Sequence, residues 1–72
     1  MAATHTVQDA LSEMFSSLGY GQMARDVKTE RDKATLRRYA AFIVRQLNRQ
    51  GKRELAKQAQ ERFYRLRRLG EL

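Results

Sequence analysis

Apolar residues recur every three or four positions near the start of the chain, which is the spacing of one face of an α-helix. These residues are Val7, Ala10, Leu11, Met14, Phe15 and Leu18. Thr6, followed three residues later by Asp9, is typical of a helix start, and Gly19 and Gly21 favour a stop. The pattern predicts a first helix over about 6–18, preceded by a frayed segment over 1–5.

A short helix and a long helix are predicted next. Met23, Ala24 and Val27 favour a short helix over about 22–28. Thr29 with Asp32 repeats the start signal, so a longer helix is predicted over about 30–50. Its apolar face carries Leu36, Ala40, Ile43 and Leu47.

A fourth helix is predicted over about 52–69, with an apolar stripe of Leu55, Ala59, Phe63, Leu66 and Leu69. Gly51 and a shift in the phase of the apolar residues favour a break before it, which makes helices 3 and 4 an antiparallel hairpin. The alternative is a continuous helix over about 30–69, because no capping residue precedes Lys52 and Arg53. The predicted fold class is all-α. We expect a small three- to four-helix bundle, one domain over 1–72, that forms a dimer or higher oligomer because so short a chain buries little core.

The charge is unevenly distributed along the chain. The sequence holds 15 Lys and Arg against 8 Asp and Glu, a formal net charge of +7, and every basic residue lies within 25–72. Positive charges at this density repel one another in a folded monomer. Such a density is typical of proteins that bind an anionic partner. On helix 3 the basic residues form a stripe opposite the apolar face, consisting of Arg31, Arg38, Arg45, Arg49 and Lys52.

Helix 4 carries basic residues around a tyrosine on its predicted outer face. A ring among cations suits nucleic acid, because the charges neutralise phosphates while the ring stacks on a base or packs against a sugar. Tyrosine and arginine also suit a protein interface. The candidate contacts to nucleic acid, or to another anionic partner, are Arg38, Arg45, Arg49, Lys52, Arg53, Lys57, Tyr64, Arg67 and Arg68. Among them, Arg49, Lys52 and Arg53 are expected to form a positive tip at the hairpin corner.

Two residues depart from the pattern of their helices and point to a groove. Arg62 falls within the apolar stripe of helix 4, and Phe42 lies at the border of the basic stripe of helix 3. Arg62 either covers the core with its stem or lines a groove between subunits that accepts an acidic or phosphate group. Phe42 either contributes to that groove or is covered by helix 1 or a second subunit.

The sequence gives little support for catalysis or for metal binding. His5 is the single histidine, it lies in the predicted frayed segment, and the chain has no cysteine. Asp26, Glu30 and Asp32 cluster near one turn, but basic residues interleave with them, so we interpret them as capping and ion-pair residues. No glycine-rich phosphate loop is present. We expect a protein that is not an enzyme and that uses no cofactor or metal.

The stretch over 23–39 resembles a helix-turn-helix motif, with an alanine in a short first helix and a basic second helix. It departs from the motif at the turn, where Lys28 stands in place of glycine, and Ala24 lies about two residues too far from Leu36. Direct base reading is therefore a minor alternative, assigned to Lys33, Thr35, Arg37 and Arg38.

No apolar run approaches the roughly 18 residues that cross a bilayer, and a cytoplasmic protein without membrane contact is expected. The basic amphipathic helix over 52–69 also suits a membrane surface, but its leucines are needed for the core. The leading hypothesis is a non-enzymatic module that binds DNA or RNA through the phosphate backbone, in a regulatory or accessory role. The alternatives are a phage- or plasmid-type inhibitor or adaptor that docks on an acidic or nucleic-acid-handling host protein, and an oligomer that sequesters a small nucleotide.

Overall fold

The computed structural model describes residues 6–72, and over these residues the chain forms four α-helices and no β-strand. They are α1 (Thr6–Ser17), α2 (Gly21–Thr29), α3 (Lys33–Arg49) and α4 (Arg53–Arg68). The prediction of an all-α fold is confirmed. Across the same residues, no helix has the length and apolar character that a bilayer-spanning segment needs. The segment over 1–5, with His5, lies outside the described residues.

The start of α3 differs from the prediction. Thr29 ends α2, where its hydroxyl donates a hydrogen bond to the carbonyl oxygen of Asp26 at 3.2 Å. Asp32 caps α3 instead, because its carboxylate accepts bonds from the backbone N–H of Thr35 at 3.1 Å and from the Thr35 hydroxyl at 2.8 Å. Helix α3 therefore begins at Lys33 rather than near residue 30.

The corner between α3 and α4 depends on Gly51. Its φ of 78° lies in the left-handed region, which allows the N–H of Lys52 to bond to the carbonyl oxygen of Leu47 at 2.9 Å. This Schellman closure ends α3, and α4 begins two residues after the glycine without a side-chain cap. The Lys33 ammonium group, in the first turn of α3, donates to the carbonyl oxygen of Gly70, just beyond α4. The two helices are therefore separate, and α4 runs back along α3.

Helix α3 lies at the centre of the fold. Its predicted apolar face is buried, and it packs against α4 on one flank and α1 on the other. On the α1 flank, the centroid of the Phe15 ring lies 5.6 Å from that of Tyr39 and 6.2 Å from that of Phe42. The Tyr20 ring lies 5.7 Å from Phe42 in the same cluster. Phe42, a candidate groove residue, is therefore covered by aromatic side chains of its own chain.

The buried face of α4 differs from the predicted stripe. Leu55 and Leu69 are 51% and 68% exposed, whereas Ala56, Ala59 and Phe63 are buried. At about 100° per residue, the buried face is rotated by about 50° from the predicted one. Two alanines at the contact permit a short distance between the helix axes, and Phe63 fills the remaining space against α3. The rotation turns part of the predicted outer face of α4 toward α3.

Candidate nucleic-acid interface

A groove between α3 and α4 brings basic and aromatic side chains together. This α3–α4 groove encloses about 260 Å³. Helix α3 contributes Arg37 and Arg45, and α4 contributes Tyr64 and Arg67. The other lining residues are Ala40, Ala41, Val44, Gln60, Phe63 and Leu72. Cationic side chains therefore border the groove from both helices, over a mostly apolar lining.

The register of the two helices explains this arrangement. Residues four and seven positions apart lie on the same side of a helix, so each wall of the groove is one helical stripe. The stripe on α3 includes Arg37, Ala41 and Val44, and the stripe on α4 includes Gln60, Tyr64 and Arg67. The two stripes face each other because α4 buries its alanines rather than its outer leucines.

The side chains that line the groove carry a net positive charge. Three arginines line it, and none of the lining side chains among the described residues is acidic. The side chains of Arg37, Arg45 and Arg67 are all exposed. Arginine keeps its charge at physiological pH and presents several N–H donors in one plane, a geometry that matches phosphate oxygens. These donors are open to an anion that enters the groove.

The Tyr64 side chain is held at the rim of the groove. Gln60, one turn earlier on α4, donates a hydrogen bond from Nε2 to the Tyr64 hydroxyl oxygen at 3.3 Å. Tyr64 nevertheless remains 54% exposed. A partly exposed ring beside arginines offers a stacking surface to a planar group such as a nucleobase.

The predicted contacts divide into those at the groove and those around it. Arg45, Tyr64 and Arg67 line the groove, and Arg68 adjoins two of them in a shallow depression at its outer edge. The remaining residues are exposed on α3, at the corner and on the first turns of α4. They are Arg38, Arg49, Lys52, Arg53 and Lys57.

Arg62 lies on the opposite side of α4. There it lines a second groove, the α1–α4 groove, which encloses about 310 Å³ and is also bordered by Lys52 and the partly exposed Leu55. The other lining residues are Met14, Ser17, Leu18, Ile43, Leu47, Gln58 and Ala59. The rotation of α4 moves Arg62 out of the buried stripe, where it was predicted, to an exposed border. Helices of one chain form this groove.

Sequence reasoning missed the contribution of Arg37 to the groove. On a helical wheel this residue lies between the apolar face and the basic stripe of α3, on the same flank as Ala41 and Val44. A helical wheel shows that such a flank exists, but it does not show which neighbouring helix covers that flank. The contribution of Arg37 can be predicted only when the position of α4 is known.

Two of the four residues proposed for base reading in a helix-turn-helix motif make intramolecular hydrogen bonds. The Thr35 hydroxyl is bonded to the Asp32 carboxylate, and the Lys33 ammonium group is bonded to the Gly70 carbonyl oxygen. Arg37 belongs to the α3–α4 groove. A direct base-reading role for the start of α3 would require these intramolecular bonds to be given up.

The acidic residues near the start of α3 are engaged in capping. Over residues 6–72, no three His, Asp or Glu side chains are placed to hold a metal ion together. The Glu30 carboxylate accepts the N–H of Asp32 at 3.1 Å. Hydrogen bonds from the side chain and backbone of Thr35 hold the pKa of Asp32 below its ordinary value, assisted by the charges of Arg38 and Arg37.

The interface is interpreted from its own geometry. Comparisons with protein-family models, with curated proteins and with solved structures found no match. What the geometry provides is a groove with three arginines, one partly exposed tyrosine and no acidic side chain.

Proposed function

We propose that the protein is a small non-enzymatic module that binds nucleic acid through the phosphate backbone, in a regulatory or accessory role. The observation that carries this proposal is the convergence of Arg37, Arg45, Arg67 and Tyr64 on the α3–α4 groove. Guanidinium groups satisfy phosphate oxygens, and the ring contacts a base or a sugar. An acidic side chain in the same groove would repel this ligand, and none lines it.

The basic residues outside the groove extend the interface. Arg38 and Arg45 lie seven residues apart on α3, a separation of about 10 Å along the helix axis at 1.5 Å per residue. That distance corresponds to about three nucleotide rises of 3.4 Å along one strand. In this proposal the backbone contacts come from Arg37 together with Arg38, Arg45, Arg49, Lys52, Arg53, Lys57, Arg67 and Arg68.

The proposal includes a cytoplasmic protein that acts as a dimer or higher oligomer. A chain of 72 residues has room for only one small core, and association would add buried surface. The exposed Leu69, away from the α3–α4 groove, supports a contact between copies. Light scattering at several protein concentrations measures the oligomeric state directly. A monomer at every concentration would remove this part of the proposal.

Salt dependence tests the proposal. The affinity for a fluorescent oligonucleotide is measured by anisotropy at increasing salt concentration. Each phosphate contact contributes about 0.7 for a single strand, or about 0.9 for a duplex, to the slope of log affinity against log salt. Five or more contacts therefore predict a slope of about −3.5 or steeper for a single strand and about −4.5 or steeper for a duplex. A shallow slope, or no binding at low salt, would overturn the proposal.

The purified protein provides a second readout. A nucleic-acid-binding protein is expected to carry bound nucleic acid, visible in its absorbance ratio, until a high-salt wash removes it. A preparation that is free of nucleic acid, does not bind oligonucleotides and captures an acidic host protein would favour the inhibitor or adaptor hypothesis instead. Capture of a free mononucleotide by an oligomer would favour the sequestering hypothesis.

A further inference from the structure

The apolar lining of the α3–α4 groove is not explained by phosphate contacts. Ala41 and Val44 line it on the α3 side, and the buried Phe63 and Leu72 lie beside them. A phosphate group is strongly hydrated and gains nothing from these side chains. A nucleobase has an apolar face that does gain from them, provided that the face is free.

We infer that the α3–α4 groove accepts one base of a single-stranded nucleic acid. The inference rests on the proposed function and names the class of nucleic acid that it takes. The base lies over Ala41 and Val44 with the Tyr64 ring against it, and Arg45 and Arg67 contact the phosphates on either side. In a duplex the bases are stacked and paired, so their faces do not reach a groove of this kind.

The size of the groove supports this choice. Its volume of about 260 Å³ is close to the lower limit of about 300 Å³ for small-ligand pockets. This is room for one base with part of its sugar. A duplex is far too wide to enter, and could contact only the rim.

The positions of the arginines also support binding of one base of a single strand. A base inserted from a single strand has a phosphate on each side, so a matching site needs cations on both walls. Arg37 and Arg45 lie on the α3 wall, and Arg67 lies on the α4 wall, three residues after Tyr64. The Tyr64 hydroxyl accepts a hydrogen bond from Gln60 at the rim of the groove.

The α1–α4 groove lacks one feature of such a site. It is similar in volume, at about 310 Å³, and two cations, Lys52 and Arg62, also line it. Among the residues that the structure describes, no aromatic side chain lines this second groove. It therefore offers a matched internal control, on the same helix, for variants of the α3–α4 groove.

The test compares three probes at one salt concentration. They are a short single-stranded oligodeoxythymidylate, an abasic oligonucleotide of the same length, and a duplex of the same length. We expect the oligodeoxythymidylate to bind about tenfold more tightly than the abasic strand, because stacking of one base on an aromatic ring supplies this factor. Tyr64→Ala is expected to abolish the difference and Tyr64→Phe to retain it. Leu55→Ala, similarly exposed in the other groove, is expected to leave it unchanged.

A second variant tests the groove without touching the ring. Ala41→Leu fills the groove, and leucine is well tolerated at this exposed position within α3. We expect it to lose the preference for the strand with bases while the abasic strand binds as before. Because the chain has no tryptophan, tyrosine fluorescence gives a further readout, and quenching by the oligonucleotide should disappear in Tyr64→Phe.

The outcomes separate the inference from the proposed function. Equal, salt-dependent binding of all three probes would overturn the single-strand inference and leave the proposed function intact. An unchanged preference in Ala41→Leu would also overturn it, because the base would then lie elsewhere. Failure of all three probes to bind would overturn the proposed function itself.

Discussion

The two grooves beside α4 differ in chemistry although they share a helix. The α3–α4 groove combines Tyr64 with three arginines, whereas the α1–α4 groove combines Leu55 with Lys52 and Arg62 and has no aromatic lining. The difference arises from the rotation of α4 about its own axis. Because Ala56 and Ala59 face the core, the tyrosine stripe is turned toward α3 and the leucine stripe toward α1. The packing of small residues thus determines which polar side chains form the candidate site.

The largest effect is expected at the side chain that anchors this rotation. Phe63→Ala removes the large buried side chain of α4 and should lower the free energy of unfolding by about 3–5 kcal/mol. Leu55→Ala, on the exposed stripe, should change it by no more than about 0.5 kcal/mol. Thermal denaturation followed by circular dichroism measures both. If Leu55→Ala were the more harmful change, α4 would have the phase that its leucines predict.

The second-largest effect is expected from reversing the charge of several basic residues at once. Glutamate at Arg45, Lys52, Arg53 and Lys57 replaces exposed side chains and should leave the helical content unchanged. It removes more than the whole net charge of +7 and should reduce nucleic-acid binding by at least a hundredfold. Anisotropy with a labelled oligonucleotide measures the loss. Binding that survives these four reversals would mean that the charge serves solubility alone.

A substitution at the corner between α3 and α4 should have a smaller effect on the free energy of unfolding. Gly51→Ala places a side chain at a φ of 78° and should cost about 1 kcal/mol, because alanine disfavours the left-handed region. Gly21→Ala is the matched control, since Gly21 is the first residue of α2, has no positive φ, and an added Cβ there meets nothing within 4 Å. Chemical denaturation of the two variants measures the difference. Equal stability would contradict the role assigned to the Schellman closure.

The smallest effect concerns pH. The pKa of Asp32 is lowered in the folded chain by its bonds from Thr35, so ionised Asp32 stabilises the fold. This contribution is complete above the ordinary value of 3.8 and is lost as the pH falls through the lowered pKa. Asp32→Asn keeps a capping side chain without the charge. The difference in melting temperature between the two proteins should therefore shrink in acid, and a difference independent of pH would contradict this assignment.

Much of the fold is predictable because residues with a strong apolar periodicity are also the ones that the packed helices bury. The apolar faces of α1 and α3 are long, regular and rich in large side chains, and the predicted core residues of α3 are all buried. The phase of α4 was wrong because alanine gives a weak hydrophobic signal, while Leu55 and Leu69 give a strong one. Close approach of two helices favours the alanines, and that preference depends on a partner that a single helix does not reveal.

The candidate site was predictable in its chemistry and less so in its geometry. Spacing alone placed Tyr64 among cations and put Arg45 on the exposed stripe of α3. Their meeting across a groove depends on how two helices face each other, as does the inclusion of Arg37. Arg62 and Phe42 show the same dependence, since one lines a groove within the chain and the other joins an aromatic cluster.

We expect nucleic acid to bind at the α3–α4 groove, and not through the overall positive charge alone. The most direct test compares Arg45→Glu/Arg67→Glu with Arg62→Glu/Arg65→Glu, two variants with the same net charge and the substitutions at exposed positions. Affinity for a labelled single-stranded oligonucleotide is measured at one salt concentration. We expect the affinity to fall about a hundredfold in the groove variant and less than about tenfold in the other. Equal losses in the two variants would contradict it.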